Sequence, residues 1–308
     1  MTIASLSPLP HPSSTIVPCS SQSRSRVIAF TMYYESIPGG QFGRGAAITV
    51  VMLILLLPIM AVALLYGITP TDLATFAAMS ALLAQNWDFH PDLAAARVVW
   101  TIDEPGLTTF TEAGVVGKIG VSSAGVALAI NFLGTDADGG LDGVPIHVLA
   151  RALLEEARTV QDARALIEST PVSASVAMTV AGPDADGGVG ALAFELWPGG
   201  VVEVAPDRGS IAHTNHFLVA VGARDVQADS ADAPSTHDRL GQLKDDTAQL
   251  AELLASRAGA EPIFRIDDGT APWIVRCSTL ATLLFEVPSG RMWLRGDGDA
   301  AAPLERVS

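Results

Sequence analysis

The chain has 308 residues, 49% of them hydrophobic, enough for a sizeable core, and its 33 acidic and 18 basic side chains give a formal charge of −15. That charge repels nucleic acid and offers no broad phosphate-binding face, which argues against a nucleic-acid partner. Cys19 and Cys277 lie far apart with no Cys or His at zinc spacing, so neither a disulfide framework nor a metal centre is indicated.

Residues 1–44, including "SLSPLPHPSSTIVPCSSQSRSR", are rich in Ser and Pro and read as a flexible lead. Gly45 to Gly67 carries no charged residue over 23 positions. As a helix it reaches about 34 Å, enough to cross a bilayer core, and it reads as a transmembrane helix or signal anchor through which the chain meets the membrane. Arg24, Arg26 and Arg44 precede it and Asp72 follows, an asymmetry that puts the N-terminus in the cytoplasm and the main domain outside. The alternatives are a buried helix, or a signal sequence with Ala61-Val62-Ala63 as its cleavage site.

From Thr71 onward short apolar runs alternate with Gly, Asp and Pro, and an α+β domain is expected over residues 71–300, with 301–308 as a tail. Leu73 to Phe76 and Leu82 to Asn86 predict a hairpin. Val115 to Val121 and Val126 to Phe132, around "SSAG", predict another. In "VPIHVLARALLEEARTVQDARALIES" Pro145 suits a first helical turn, and Val148, Leu149, Ala152 and Leu153 share a face. Thr159 with Asp162 three residues on predicts a capped second helix. Strands follow at Ser173 to Ala181, Gly190 to Trp197 and Val201 to Val204. A helix, in one or two pieces, follows over Leu240 to Leu254, and then a hairpin of Leu280 to Val287 with Met292 to Leu294 around "PSGR". "DADGG", present at Asp136 and again at Asp184, lacks the spaced oxygen ligands of a calcium loop and reads as a solvated turn.

Three clusters carry candidate chemistry: "QNWD" at Gln85 to Asp88, "GKIGVSSAG" at Gly117 to Gly125, and "HTNH" at His213 to His216. Amides and a carboxylate inside a core strand cost about 1–3 kcal/mol each when unpaired, so they close a turn or serve a site. The flanks of His213 and His216 are strand-like or loop-like, which favours a structural pair over metal ligands, while the amide of Asn215 suits an oxyanion donor.

In order and spacing, "LLAQNWDF", "EAGVVGKIGVSSAGVALAINFL", "GVPIHVLARALLEEA" and "HTNHFL" resemble the acyl-coenzyme A:6-aminopenicillanate (isopenicillin N) acyltransferase family of N-terminal nucleophile hydrolases. The likeness spans about Thr71 to Leu294. It implies a four-layer αββα sandwich and a precursor that cuts itself to expose a Cys. That residue's own α-amine, with a pKa of about 7.7–8.0, serves as its base. It also implies a small acyl or amide substrate, with acyl-coenzyme A as one candidate, and no resident cofactor. Carried over, Asn215 is the oxyanion amide and Asp88 the carboxylate supporting the nucleophile strand. Asn86 and Trp87, with Gln85, shape the pocket floor and orient Asp88, and Ser278 in "RCSTLATLLF" is a further polar site residue.

One position departs from the family. The family's Cys stands about 18 residues before the Asp of the QNWD-like stretch, and counting back from Asp88 reaches Pro70, which has neither a side-chain nucleophile nor an N–H. Three readings follow: Thr71 or Thr69 is the nucleophile; the domain is an inactive membrane-anchored binding module; or the first 70 residues are a misjoined gene start, in which case the domain is cytoplasmic.

Overall fold

In chain order the elements of the computed structural model begin with β1 (Thr2–Ser5), β2 (Ala81–Phe89), a 3₁₀ turn at Pro91–Ala96, β3 (Arg97–Ile102), β4 (Leu107–Glu112), β5 (Ile119–Ser122) and β6 (Ala127–Phe132). Two helices follow, α1 (Ile146–Glu156) and α2 (Val160–Ser169), then β7 (Val176–Pro183), β8 (Val189–Trp197), β9 (Gly200–Val204) and β10 (Ser210–His213). The last part holds α3 (Ala233–Asp245), the single turn α4 (Leu250–Leu253), β11 (Ser278–Val287), β12 (Arg291–Arg295) and β13 (Glu305–Arg306). The residues described are 2–5, 81–207, 209–226, 233–245, 250–296 and 298–308. Among them no helix is long and apolar enough to cross a membrane, and the expected span 45–67 lies outside them.

The strands form two antiparallel sheets, one of six strands in the order β10-β1-β2-β11-β12-β13 and one of seven in simple sequence order from β3 to β9. Strand alternation divides the six-stranded sheet's residues between two layers. Ala81 and Leu83 on β2 and Ala281, Leu283 and Phe285 on β11 join the core shared with Phe110, Ile119, Leu128 and Met178 of the other sheet. The intervening Leu82, Ala84 and Leu284 pack instead with Leu243, Leu250, Leu254 and Ile263 of the α3–α4 region. Leu149, Leu153 and Leu154 of α1 and Val160, Ala163 and Ile167 of α2 bury against β5 to β8, at about 1.5–3 kcal/mol for each large side chain. The order of layers is helix, sheet, sheet, helix, the αββα arrangement expected.

Local chemistry accounts for several boundaries. Thr159 Oγ1 accepts the Asp162 N–H at 3.1 Å while Asp162 accepts the Thr159 N–H at 2.9 Å, closing a reciprocal cap on α2. Pro145 is the N-cap of α1, one residue ahead of the first turn in which it was expected. The hairpin around "SSAG" forms as β5 and β6, with its first strand shorter than expected. Gly125 turns it at φ +82°, where a Cβ would lie 2.9 Å from the Pro288 carbonyl carbon. The final hairpin pairs Leu283 with Leu294 and Phe285 with Met292. The first "DADGG" is a turn braced by Asp138, which accepts from Thr135 Oγ1 at 3.0 Å and Ser175 Oγ at 2.6 Å. The expected partner strand Leu73 to Phe76 lies outside the described residues, and here β2 pairs with β1 and β11.

Candidate active site

Strand β2 carries the amides and the carboxylate, and alternation sends them to opposite layers. Gln85 faces the other sheet, where its amide oxygen accepts the Ile130 N–H at 3.1 Å and its NH₂ donates to the Ile130 carbonyl. The β5–β6 ladder ends at the Gly120–Leu128 pair, so Gln85 satisfies backbone groups that β5 does not reach. Asn86 faces the helices, donating to the carbonyls of Leu254 at 2.8 Å and Ile263 at 3.1 Å and accepting from Thr282 Oγ1 at 2.8 Å. Both amides are buried and paired, which removes the cost of setting them in a core strand.

Asp88, next on the helix side, accepts a 2.6 Å hydrogen bond from Thr279 Oγ1 and lies 3.5 Å from the Arg239 guanidinium. Arg239 projects from α3, is buried, and also donates to Asn215 Oδ1 at 3.4 Å, joining the two residues that the sequence singled out. The orientation expected from Trp87 and its neighbours comes instead from Thr279 and Arg239. Ser278 begins β11 opposite Phe89, and its neighbour Thr279 makes the contact to Asp88.

The Asn215 loop is fixed from both sides by one buried carboxylate. Glu195 on β8 accepts from His213 Nε2 at 2.9 Å before the loop and from the Leu218 and Val219 N–H groups at 2.5 and 3.1 Å after it. His213 Nδ1 lies 2.8 Å from the Thr214 carbonyl, and the Asn215 N–H donates to Thr236 Oγ1 at 2.7 Å. His213 therefore serves the loop, as its strand-like flanks indicated. Asn215 Nδ2 donates one hydrogen to the Phe132 carbonyl at 3.1 Å, and an amide NH₂ has a second.

Asn86, Trp87, Asp88 and Asn215 line one cavity of about 220 Å³, together with Lys118, His147 and an apolar wall that includes Ile130 and Val176. A larger hollow of about 550 Å³ between β3 and the β12–β13 end contains none of these polar residues. Lys118 Nζ lies 2.5 Å from Glu112 Oε2 and 3.8 Å from the Trp87 ring centroid. Burial pulls the Lys118 ammonium below its usual range against the opposing pull of Glu112. Burial, and then the charge of Lys118, likewise lower His147, against the pull of Glu112. Sequence reasoning did not assign Thr279, Arg239, Glu112 or His147, and it singled out the stretch that holds Lys118 without giving that residue a role. A lone lysine and glutamate beside apolar strand residues were the available signal for the buried pair.

The glycines of "GKIGVSSAG" answer to packing. At Gly120 a Cβ would meet the Thr108 carbonyl oxygen and lie 3.1 Å from Leu154 Cδ1, so glycine lets α1 close onto β5. Among the described residues no cluster of His, Cys, Asp or Glu is arranged to hold a metal ion. Thr71 and Pro70 lie outside the described residues, whereas the strand beside β2 begins at Thr2, whose backbone stands opposite both Gln85 and His213.

Comparison with known proteins gives a family. The family model described as acyl-coenzyme A:6-aminopenicillanic acid acyl-transferase matches residues 77–301. The 40 kDa form of acyl-coenzyme A:6-aminopenicillanic-acid-acyltransferase from Emericella nidulans is 32% identical over 169 residues, which is 53% of this chain and 45% of that protein. The chain thus spans about half the length of this curated relative. Among solved structures, penicillin V acylase from Agrobacterium tumefaciens aligns at 12% identity and TM-score 0.43, over 70% of this chain and 79% of that one. A mutant of conjugated bile acid hydrolase from Clostridium perfringens aligns at 9% identity and TM-score 0.42, over 74% of this chain and 93% of that one. At these low TM-scores neither likeness bears on the activity. With the family match covering most of the chain, this protein belongs to the acyl-coenzyme A:6-aminopenicillanic acid acyltransferase family.

Proposed function

We propose that the cavity beside Asp88 and Asn215 transfers or hydrolyses the acyl group of a small amide or thioester, an acyl-coenzyme A being the candidate thioester. The observation that carries this reading is the convergence of Asp88 and Asn215, joined by Arg239, on one largely apolar cavity, in a chain of this family. The nucleophile is a threonine hydroxyl, Thr71, freed at a new N-terminus by self-cleavage. Its α-amine takes the hydroxyl proton as the oxygen attacks the carbonyl. The free Asn215 N–H receives the developing oxyanion, worth about 2.7–4 kcal/mol for a well-placed donor. Collapse expels the amine or thiol, protonated from the α-ammonium, and leaves an ester on the threonine for water or an acceptor amine to cleave.

Pro70, where the family has its Cys, favours a second reading: a membrane-anchored domain that binds acyl compounds without turning them over. Intact-mass measurement of the mature protein, alone and after incubation with an acyl-coenzyme A, separates the two. A fragment beginning at Thr71 that gains one acyl mass supports the enzyme. The same measurement reads a chain that begins at Thr2, the start of the strand beside β2. An uncleaved chain that takes up no acyl group supports the binding module.

A further inference from the structure

The acyl chemistry uses Asp88 and Asn215, yet the same cavity carries a lysine with no part in it. Lys118 is only 6% exposed and Glu112 is 8% exposed. A lysine ammonium has three N–H donors, and Glu112 is the hydrogen-bond acceptor that Lys118 Nζ has among the described residues. The face of Trp87, stacked on Phe89 at 5.6 Å, takes up part of the charge. Two further buried nitrogens on residues of this wall have no partner among the described residues: Trp87 Nε1, a donor, and His147 Nδ1, a donor in one neutral tautomer and in the protonated ring. Buried polar atoms in folded proteins are paired with protein, water or ligand, so unpaired donors around one hollow call for an occupant rich in acceptors.

The charge narrows the choice. Lys118 lines the cavity whereas Glu112 does not, so the cation is presented to an occupant and its counter-ion is set back. His147 stands in the first turn of α1, an 11-residue helix whose N-cap, Pro145, offers no side-chain cap and whose first turn has no acidic residue. Helix starts of this kind favour an anion. An amide or hydroxyl could accept from the same donors, but bonds to a charged acceptor are about twice as strong. The volume of about 220 Å³ is below the roughly 300–1,000 Å³ of sites for drug-sized ligands, which limits the occupant to a short apolar body.

We propose that this cavity holds a small carboxylate, with its acid group on Lys118, the Trp87 indole N–H and His147, and its short apolar body against Ile130 and Val176. The inference rests on reading the cavity as the substrate site and adds the class of substrate, an acid-bearing one.

Calorimetric titration of the full chain with hexanoate, hexanamide and 1-hexanol, which share one apolar body, tests this. Hexanoate binds roughly tenfold more tightly than the other two. W87F, which keeps an aromatic ring and loses the N–H, narrows the gap. Removing Lys118 alone would strand a buried carboxylate, so the charge is removed as the pair K118M/E112Q, which leaves neither ion unpaired. In that variant hexanoate falls to the affinity of hexanol, while the circular dichroism spectrum is unchanged. Equal affinities in the wild type, no binding of hexanoate at millimolar concentration, or a preference that survives K118M/E112Q each overturn the proposal. Turnover plays no part in the readout: an inert chain that prefers hexanoate would sink the acyl-transfer reading and leave this one standing, and an active chain without the preference would do the reverse.

Discussion

Thr279→Val tests whether Asp88 is held as the structure implies. Valine keeps the shape of this fully buried side chain and deletes a hydroxyl with two partners: it donates to Asp88 Oδ1 at 2.6 Å and accepts the Arg265 N–H at 2.9 Å. Losing a hydrogen bond to a charged acceptor costs about 1.5–3 kcal/mol, and the half-buried Arg265 N–H adds the low end of an unsatisfied donor, so a total of roughly 2–4 kcal/mol is expected. Thr282→Val, three residues along the same strand, is the control. Its hydroxyl donates at 2.8 Å to the neutral amide of Asn86, for which about 0.5–1.5 kcal/mol is expected. Urea unfolding reads both variants as shifts in midpoint at unchanged slope. A double-mutant cycle of Thr279→Val with Asp88→Asn should show a coupling of about 1 kcal/mol or more. Additive losses, or a Thr282→Val cost equal to that of Thr279→Val, would refute the assignment of Thr279 as the anchor of Asp88.

Further outcomes follow from neighbouring features. His147 has a folded pKa below its unfolded value, so as pH falls the unfolded chain binds the proton first and stability declines across the window that starts near 6.5. His147→Gln should flatten the pH 7 to 5 stability slope relative to wild type in parallel melts, and an identical slope would contradict the shift. Gly125→Ala combines a φ of +82° with a collision at Pro288 and should cost about 2–4 kcal/mol in chemical denaturation, whereas an unchanged midpoint would refute the close approach. Deleting residues 45–67 should move the protein from the membrane pellet to the soluble fraction, and retention in the pellet would contradict a single anchor there.

What could be read from the sequence was what is local. The cap of α2 sits within four residues, Thr159 to Asp162, and the "PSGR" hairpin declares its turn in the chain itself. β3 and β4 were not visible because neither alternates: β3 has no buried residue, and all six residues of β4, "LTTFTE", are buried. That polar-looking strand survives in the core because its hydroxyls find carbonyls, Thr109 bonding Ile119 and Thr111 bonding Val115, both at 3.0 Å. The site was half legible. Asp88 and Asn215 stood out because polar residues interrupted apolar runs, but Arg239 reaches Asp88 across 151 positions and Thr279 reaches it across 191. No local periodicity encodes contacts of that length; they arise only once α3 and β11 are set on either side of β2. The opposite duties of Gln85 and Asn86 follow from strand alternation and became readable once the two layers were known.

Release of free thiol from an acyl-coenzyme A by wild type and by Asn215→Ala tests the central claim most directly. If the Asn215 amide stabilises an oxyanion, wild type releases thiol above the uncatalysed rate and Asn215→Ala lowers the rate constant by about 10²–10³ with KM little changed. A wild-type rate no higher than that of buffer, or equal rates for the two proteins, would contradict acyl chemistry at this site.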